Sequence, residues 1–170
     1  DHAKSNDVVL GHFGGPLIPT KVTMALAKEM DFSYASDAAF DMLDCNSIAS
    51  GDVDVMNTTL QLVLPCIDDV KILASVGGSR ISLTPDTPTV GEIAPDLNIS
   101  LWNGLFVHKD TPADVREKII AVAQKTMASE RAMKLAEETG ALVYWQTAEE
   151  VSARIEADSA TLGAINAALE

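Results

Sequence analysis

What most constrains this chain is an alternation along its first half. Short apolar runs, each too brief for a helix, take turns with segments of helical spacing. "DVVLG" (7–11) reads as a strand, and a helix follows near Pro19, with Val22, Leu26 and Met30 on one face at four-residue steps. "FSYAS" (32–36) reads as a second strand, trailed by a helix over 42–50 that stops near Gly51. "DVDVMN" (52–57) supplies a third strand and "VKILASV" (70–76) a fourth. A β-α-β-α-β order of this kind predicts an α/β fold with a mostly parallel sheet covered by helices.

Beyond residue 80 the pattern changes. "SRISLTPDTPTVGEIAPDLN" is rich in loop residues, with a short helix expected after the capping-box pair Thr89 and Glu92. "ISLWNGLFV" (99–107) reads as another strand. Thr111 and Pro112 suit an N-cap and first turn, opening a helix whose stripe is Val115, Ile119 and Val122. A further helix runs from about Ser129 to a stop at Gly140. "ALVYW" (141–145) reads as a short strand. Thr147 with Glu150 then opens the last helix, whose stripe is Val151, Ile155, Leu162, Ile165 and Leu169. The shift from strands and turns to helix near residue 100 predicts a boundary between two lobes at Trp102–Gly104.

Charge and composition remove several function classes. With 25 acidic against 12 basic residues the net charge is −13, the wrong sign for a nucleic-acid or anionic-membrane surface. The two cysteines, Cys45 and Cys66, are too few for a disulfide scaffold and lack metal-ligand spacing. Two isolated buried thiols are the expectation, with pairing in an oxidising compartment as the alternative. His2, His12 and His108 have no partners at metal-ligand spacing, so neither a metal nor a cofactor is expected. No nucleophile-elbow sequence is present, and Asp52 with Asp54 reads as a solvated strand end.

One stretch does point to chemistry. "GHFGGPLIPT" (11–20) puts two glycines between the first strand and the first long helix. It lacks the Gly-Lys-Ser/Thr of a phosphate loop and the three-glycine dinucleotide fingerprint. What remains is backbone chemistry: Gly14 and Gly15 permit close approach, and a helix N-terminus can hold a carboxylate without lysine or arginine. A strand-to-helix turn that binds nothing is the plain alternative.

The segments "TPDTPTVGE" and "WNGLFVHKDTPADVREKI" carry a resemblance. Pro85, Asp86, Pro88, Thr89, Val90 and Glu92 match a Pro-Asp-x-Pro-Thr-Val-x-Glu motif. Trp102, Gly104, Leu105 and Phe106 match a Trp-x-Gly-Leu-Phe strand, and Thr111 with Pro112 a Thr-Pro helix start. Gly51, Val53, Asp54 and Pro65 fall in register with a Gly-Glu-Val-Asp segment upstream. Together these resemble the substrate-binding receptors of tripartite tricarboxylate transporters, the Bug family of extracytoplasmic receptors.

The resemblance implies a type II periplasmic-binding fold whose two lobes close on a small carboxylate-bearing ligand. It implies export and a membrane permease as partner, and no enzymatic activity. Residues 1–102 would form the second, ligand-binding lobe, and 103–170 the segment that returns to the first lobe. The ligand would then lie against His12, Phe13, Gly14, Gly15 and Thr20, against Phe40 and Asp41 after the second strand, and against Asn57 and Thr58 after the third. Thr58 stands where many members carry an aspartate. Most of the first lobe has no counterpart here, so the apolar stripes of the last helices are expected to be covered by a second copy. A sensor module without a transporter, or an α/β enzyme using His12 or Asp41, are the competing functions.

Overall fold

The computed structural model describes residues 2–170. A short helix α1 (His2–Ser5) precedes β1 (Val9–His12), and α2 (Ile18–Glu29) carries the chain to β2 (Ser36–Ala39). Helix α3 (Cys45–Ala49) leads to β3 (Val55–Met56), and α4 (Leu60–Val63) runs into a 3-10 turn at Leu64–Cys66. The three strands form one parallel sheet in the order β2-β1-β3. That order places the first strand at the centre and sends the two crossovers to opposite sides of it. The space beyond the C-terminal ends of β1 and β3 is therefore a topological switch point.

Helix α5 (Val90–Ile93) opens on the expected capping box: Thr89 Oγ1 accepts from the Glu92 amide at 3.1 Å and Glu92 accepts from the Thr89 amide at 2.8 Å. The Glu92 carboxylate also takes a forked contact from Arg80, at 2.8–3.1 Å, while Arg80 donates to the Pro85 carbonyl at 3.0 Å. The proline-rich motif is thus a stapled turn. Helix α6 (Ala113–Met127), α7 (Glu130–Thr139) and α8 (Ala148–Leu169) complete the chain. Ser129 and Thr147 cap α7 and α8, and Gly140 ends α7 in the left-handed region at φ 70°. A side chain at Gly140 would meet Ile81 at 2.7 Å and Leu60 at 3.2 Å, so α7 ends hard against the first half of the chain.

The core lies between α2, the 90–99 segment and the end of α8: Val22, Ala25, Val90, Ala94, Leu97, Ile99 and Ile165 pack together. Lys21 on α2 reaches Asn166 on α8 at 2.7 Å, and Lys28 reaches the Ala168 carbonyl. A second fastening lies where the chain crosses over. Arg154 on α8 sits over the rings of Trp102 and Tyr144, at 5.6 and 5.9 Å, and donates to Ser100, Tyr144 and Gln146. The Trp102 indole donates to Asp158 at 2.8 Å.

Several expectations need correction. The second strand is Ser36–Ala39, not 32–36; Phe32 and Tyr34 instead meet edge-to-face ahead of it. Residues 70–76 form no ladder and keep a single bridge, Ser75 to Thr89. Neither 99–107 nor 141–145 is a strand: among the described residues no second strand pairs with either. Helix α6 begins at Ala113 with Pro112 at its N-cap, one residue later than the Thr111 cap predicted. Cys45 and Cys66 are not separate thiols: α3 and the 3-10 turn bring their Cα atoms to 5.9 Å, and the sulfurs are bonded.

Candidate functional site

The sequence-predicted residues come from three segments that leave the same edge of the sheet. His12 ends β1, and Phe13, Gly14 and Gly15 follow it; Thr20 lies in the first turn of α2. Phe40 and Asp41 leave β2, and Asn57 and Thr58 leave β3. Backbone bonds tie the three exits together: Phe40 N–H donates to the His12 carbonyl and Asn57 N–H to the Gly11 carbonyl, both at 2.9 Å. Gly11 is needed where it stands, since a Cβ there would lie 2.8 Å from Val53 and 3.0 Å from Leu43.

Side-chain hydrogen bonds divide these residues into two groups. His12 is 3% exposed, with Nε2 2.8 Å from the Asp37 carboxylate and Nδ1 buried without a partner. Thr20, 1% exposed, donates its hydroxyl to the Gly14 carbonyl at 2.8 Å. Asn57 Nδ2 donates to Thr23 Oγ1 at 2.6 Å and to the Pro19 carbonyl at 3.2 Å, and Thr58 donates to the Leu43 carbonyl at 2.6 Å. The polar atoms of Thr20, Asn57 and Thr58 used in these bonds are committed within the chain. A histidine closed off from solvent in this way is also poorly placed as a general base.

The other group faces outward. Phe13, Gly15 and Asp41 are exposed, and Gly14 and Phe40 are half-buried. The amides of Phe13, Gly14 and Gly15 donate to no acceptor among the described residues. Leu17 is the N-cap of α2 and makes no side-chain cap bond, and Pro19 occupies the first turn as expected. None of the candidate residues is bonded or ion-paired to a lysine or arginine side chain among the described residues.

Gly14 and Gly15 differ from Gly11, Gly91, Gly104 and Gly140, where an added Cβ would clash, and share their freedom with Gly77, Gly78 and Gly163. A Cβ at Gly14 would meet only Leu17, at 3.6 Å, and one at Gly15 would meet nothing within 4 Å. Neither has a positive φ. The fold itself does not ask for glycine at either position, although each costs roughly 0.5–1 kcal/mol in chain entropy relative to alanine.

Sequence reasoning missed Asp37 as the partner of His12 and Thr23 as the bridge between Asn57 and Pro19. Both links cross from one element to another, so no local spacing announces them. The hydroxyl of Thr23 does bond the carbonyl four residues back at 2.8 Å, a habit of threonine in helices. Two grooves lie elsewhere. One of about 410 Å³ is bordered by Lys4, Asp7, Asp31 and Phe32, and one of about 270 Å³ by Ile18, Trp102, Ile155 and Asp158. Neither is lined by the candidate residues, which form an open edge. Among the described residues no group of three or more His, Cys, Asp or Glu is placed to hold a metal.

Comparison with known proteins agrees on the kind of molecule this is. Residues 32–170 match the family described as the tripartite tricarboxylate transporter family receptor, TctC. The UPF0065 protein in the TAR-I ttuE-ttuC' intergenic region of Agrobacterium vitis is 41% identical over 64 residues, which are 37% of this chain and 18% of that protein. The crystal structure of a TctC solute-binding protein from Polaromonas, with no ligand, superposes with a TM-score of 0.73 at 21% identity, over 96% of this chain and 58% of that one. At that identity the likeness is one of fold, and this chain spans less than two thirds of either protein's length.

Proposed function

The chain belongs to the tripartite tricarboxylate transporter receptor family, and from that premise we propose that its sheet edge captures a carboxylate of a small organic acid for delivery to a membrane permease. Its family and fold are those of a solute-binding protein rather than an enzyme. Residues 1–102 form the second, ligand-binding lobe in this reading, and 103–170 the segment that returns to the first lobe.

The observation that carries the reading is the pair Gly14 and Gly15. Their amides have no acceptor among the described residues, a Cβ would meet only Leu17 at 3.6 Å from Gly14 and nothing within 4 Å from Gly15, and nothing inside the fold requires them to be glycine. Close approach by something from outside gives both a reason: an amide can reach a carboxylate only if no side chain stands over it. The switch-point position at the ends of β1 and β3 is where open α/β sheets offer such a crevice. Extracytoplasmic residence is supported by the Cys45–Cys66 bond, since disulfides persist in oxidising compartments. No helix among the described residues is long and apolar enough to cross a membrane.

The test separates fold from binding. Because φ at both positions suits an L-residue, Gly14→Ala with Gly15→Ala should leave stability unchanged or raise it by about 0.4–1 kcal/mol per site. Calorimetric titration of the full-length protein with succinate, tartrate and glutamate should show binding to the wild type and its loss in the double variant. Equal affinity in the two proteins, or no binding of any of the three acids to the wild type, would overturn the reading.

A further inference from the structure

We propose that Thr20 is a positioning residue that locks the Gly14–Gly15 peptide so that the Gly15 N–H faces out of the loop, an inference that rests on reading this loop as the carboxylate site. Thr20 is 1% exposed and its hydroxyl is spent on the Gly14 carbonyl at 2.8 Å, so it does not meet a ligand itself. The same carbonyl accepts from the Leu17 amide at 3.2 Å. Two donors from the start of α2 therefore hold one oxygen turned inward.

A trans peptide is planar, with its C=O and N–H pointing in opposite directions, and no cis bond occurs among the described residues. Turning the Gly14 oxygen toward α2 thus turns the Gly15 N–H away from it. The lock matters because this peptide joins two glycines, and with no Cβ on either side its plane is among the least restrained a chain can have. A flip would replace an outward N–H by an outward carbonyl oxygen, and attraction for a carboxylate would become repulsion. No lysine or arginine is bonded to the loop among the described residues to compensate. The anchor is itself braced: Asn57, whose amide is bound to the Gly11 carbonyl at 2.9 Å, holds the Pro19 carbonyl and Thr23 Oγ1 through Nδ2. The turn that carries Thr20 is in this way fixed to the end of β3.

Thr20→Val keeps the shape and deletes the donor; Thr20→Ser restores the donor. In the full-length protein, the 15N order parameter of the Gly15 amide should be near ~0.85 in the wild type, drop below ~0.6 in Thr20→Val, and recover in Thr20→Ser. Affinity for whichever of succinate, tartrate and glutamate binds the wild type should fall about tenfold in Thr20→Val, the size of one lost hydrogen bond, and recover likewise. A purely structural role would lower the melting temperature without singling out Gly15. Should Thr20→Val not fold, Thr20→Ala serves, because it demands no space. An unchanged Gly15 order parameter and affinity, with binding still lost in the Gly14→Ala/Gly15→Ala protein, overturns this inference and leaves the carboxylate reading standing. If the double alanine variant binds as the wild type does, the reading falls and the inference with it.

Discussion

Beside the loop that carries Gly14 and Gly15, the backbone bond from Phe40 to His12 brings up the segment holding Asp41, an exposed carboxylate with no ion-pair partner among the described residues. Asp37 stands on β2, the strand this segment leaves, half-exposed and within 2.8 Å of His12 Nε2. In the proposed site, backbone amides would attract one ligand carboxylate while these side chains would repel a second. At a separation of ~8 Å in water one such charge contributes about 0.5 kcal/mol, near a twofold to threefold change in affinity, and salt screens it. Asp41→Asn should therefore favour succinate over glutamate by about that factor relative to the wild type, since the ammonium group of glutamate loses its attraction. An unchanged ratio of the two dissociation constants at low salt would show that Asp41 does not face the ligand. At this scale the sequence was only partly legible. The stop at Gly140 could be read because a helix end and its glycine are neighbours in the chain. The Cys45–Cys66 bond could not, because it depends on two elements 21 residues apart being folded against each other.

Among the elements, the capping boxes were read correctly at Thr89/Glu92 and Thr147/Glu150, since their partners lie three residues apart. Glu92 does more than cap. The Arg80 guanidinium, and then the Thr89 amide, hold its carboxyl down to about 2 from an ordinary value of 4.5. A carboxyl whose pKa is depressed by folding contributes stability that is fully present above the unfolded value and lost as pH falls through the folded one. The turn at 80–92 should accordingly weaken as pH drops from about 4.5 to 2, and thermal melts across that window should fall more steeply for the wild type than for Glu92→Gln. Parallel slopes would mean that the pair holds no differential charge. The strands expected at 70–76, 99–107 and 141–145 fail for the opposite reason. An apolar, β-branched run records a preference for extended backbone, but a strand exists only where a second segment pairs with it. Residues 70–76 find one bridge at Ser75, and the others find no strand beside them.

The whole molecule is unevenly packed, and this was legible as pattern but not as outcome. The three-stranded sheet and its helices follow the order read from the alternation, and the candidate residues do leave one edge of it. Beyond residue 102, α7 and α8 form where their caps place them and α6 starts one residue late; Leu162 and Leu169 pack with Ile165 against the core, yet much of the remaining apolar surface is left in water. Of the α8 stripe only Ile165 is buried, with Ile155 40% exposed; on α6, Val115, Ile119 and Val122 are 39%, 37% and 66% exposed. Leu105 and Phe106 stand 72% and 73% exposed, and Leu142 60%. Each such side chain would gain roughly 1.5–3 kcal/mol on full burial, and a surface of this kind does not stay wet in isolation. We therefore expect the 170-residue chain, purified alone, to associate into dimers or larger species at micromolar concentration, with α6 and α8 in the contact. Light scattering over a concentration series measures the association, and Val122→Glu should weaken it by placing a charge in the contact. Hydrogen exchange locates it: the amides of Val151, Ile155 and Leu162 should gain protection as the chain is concentrated. A monomer at every concentration, with those amides protected throughout, would mean that the stripe is covered by the chain's own residues. The separate assignment of residues 103–170 to a returning segment would then fall.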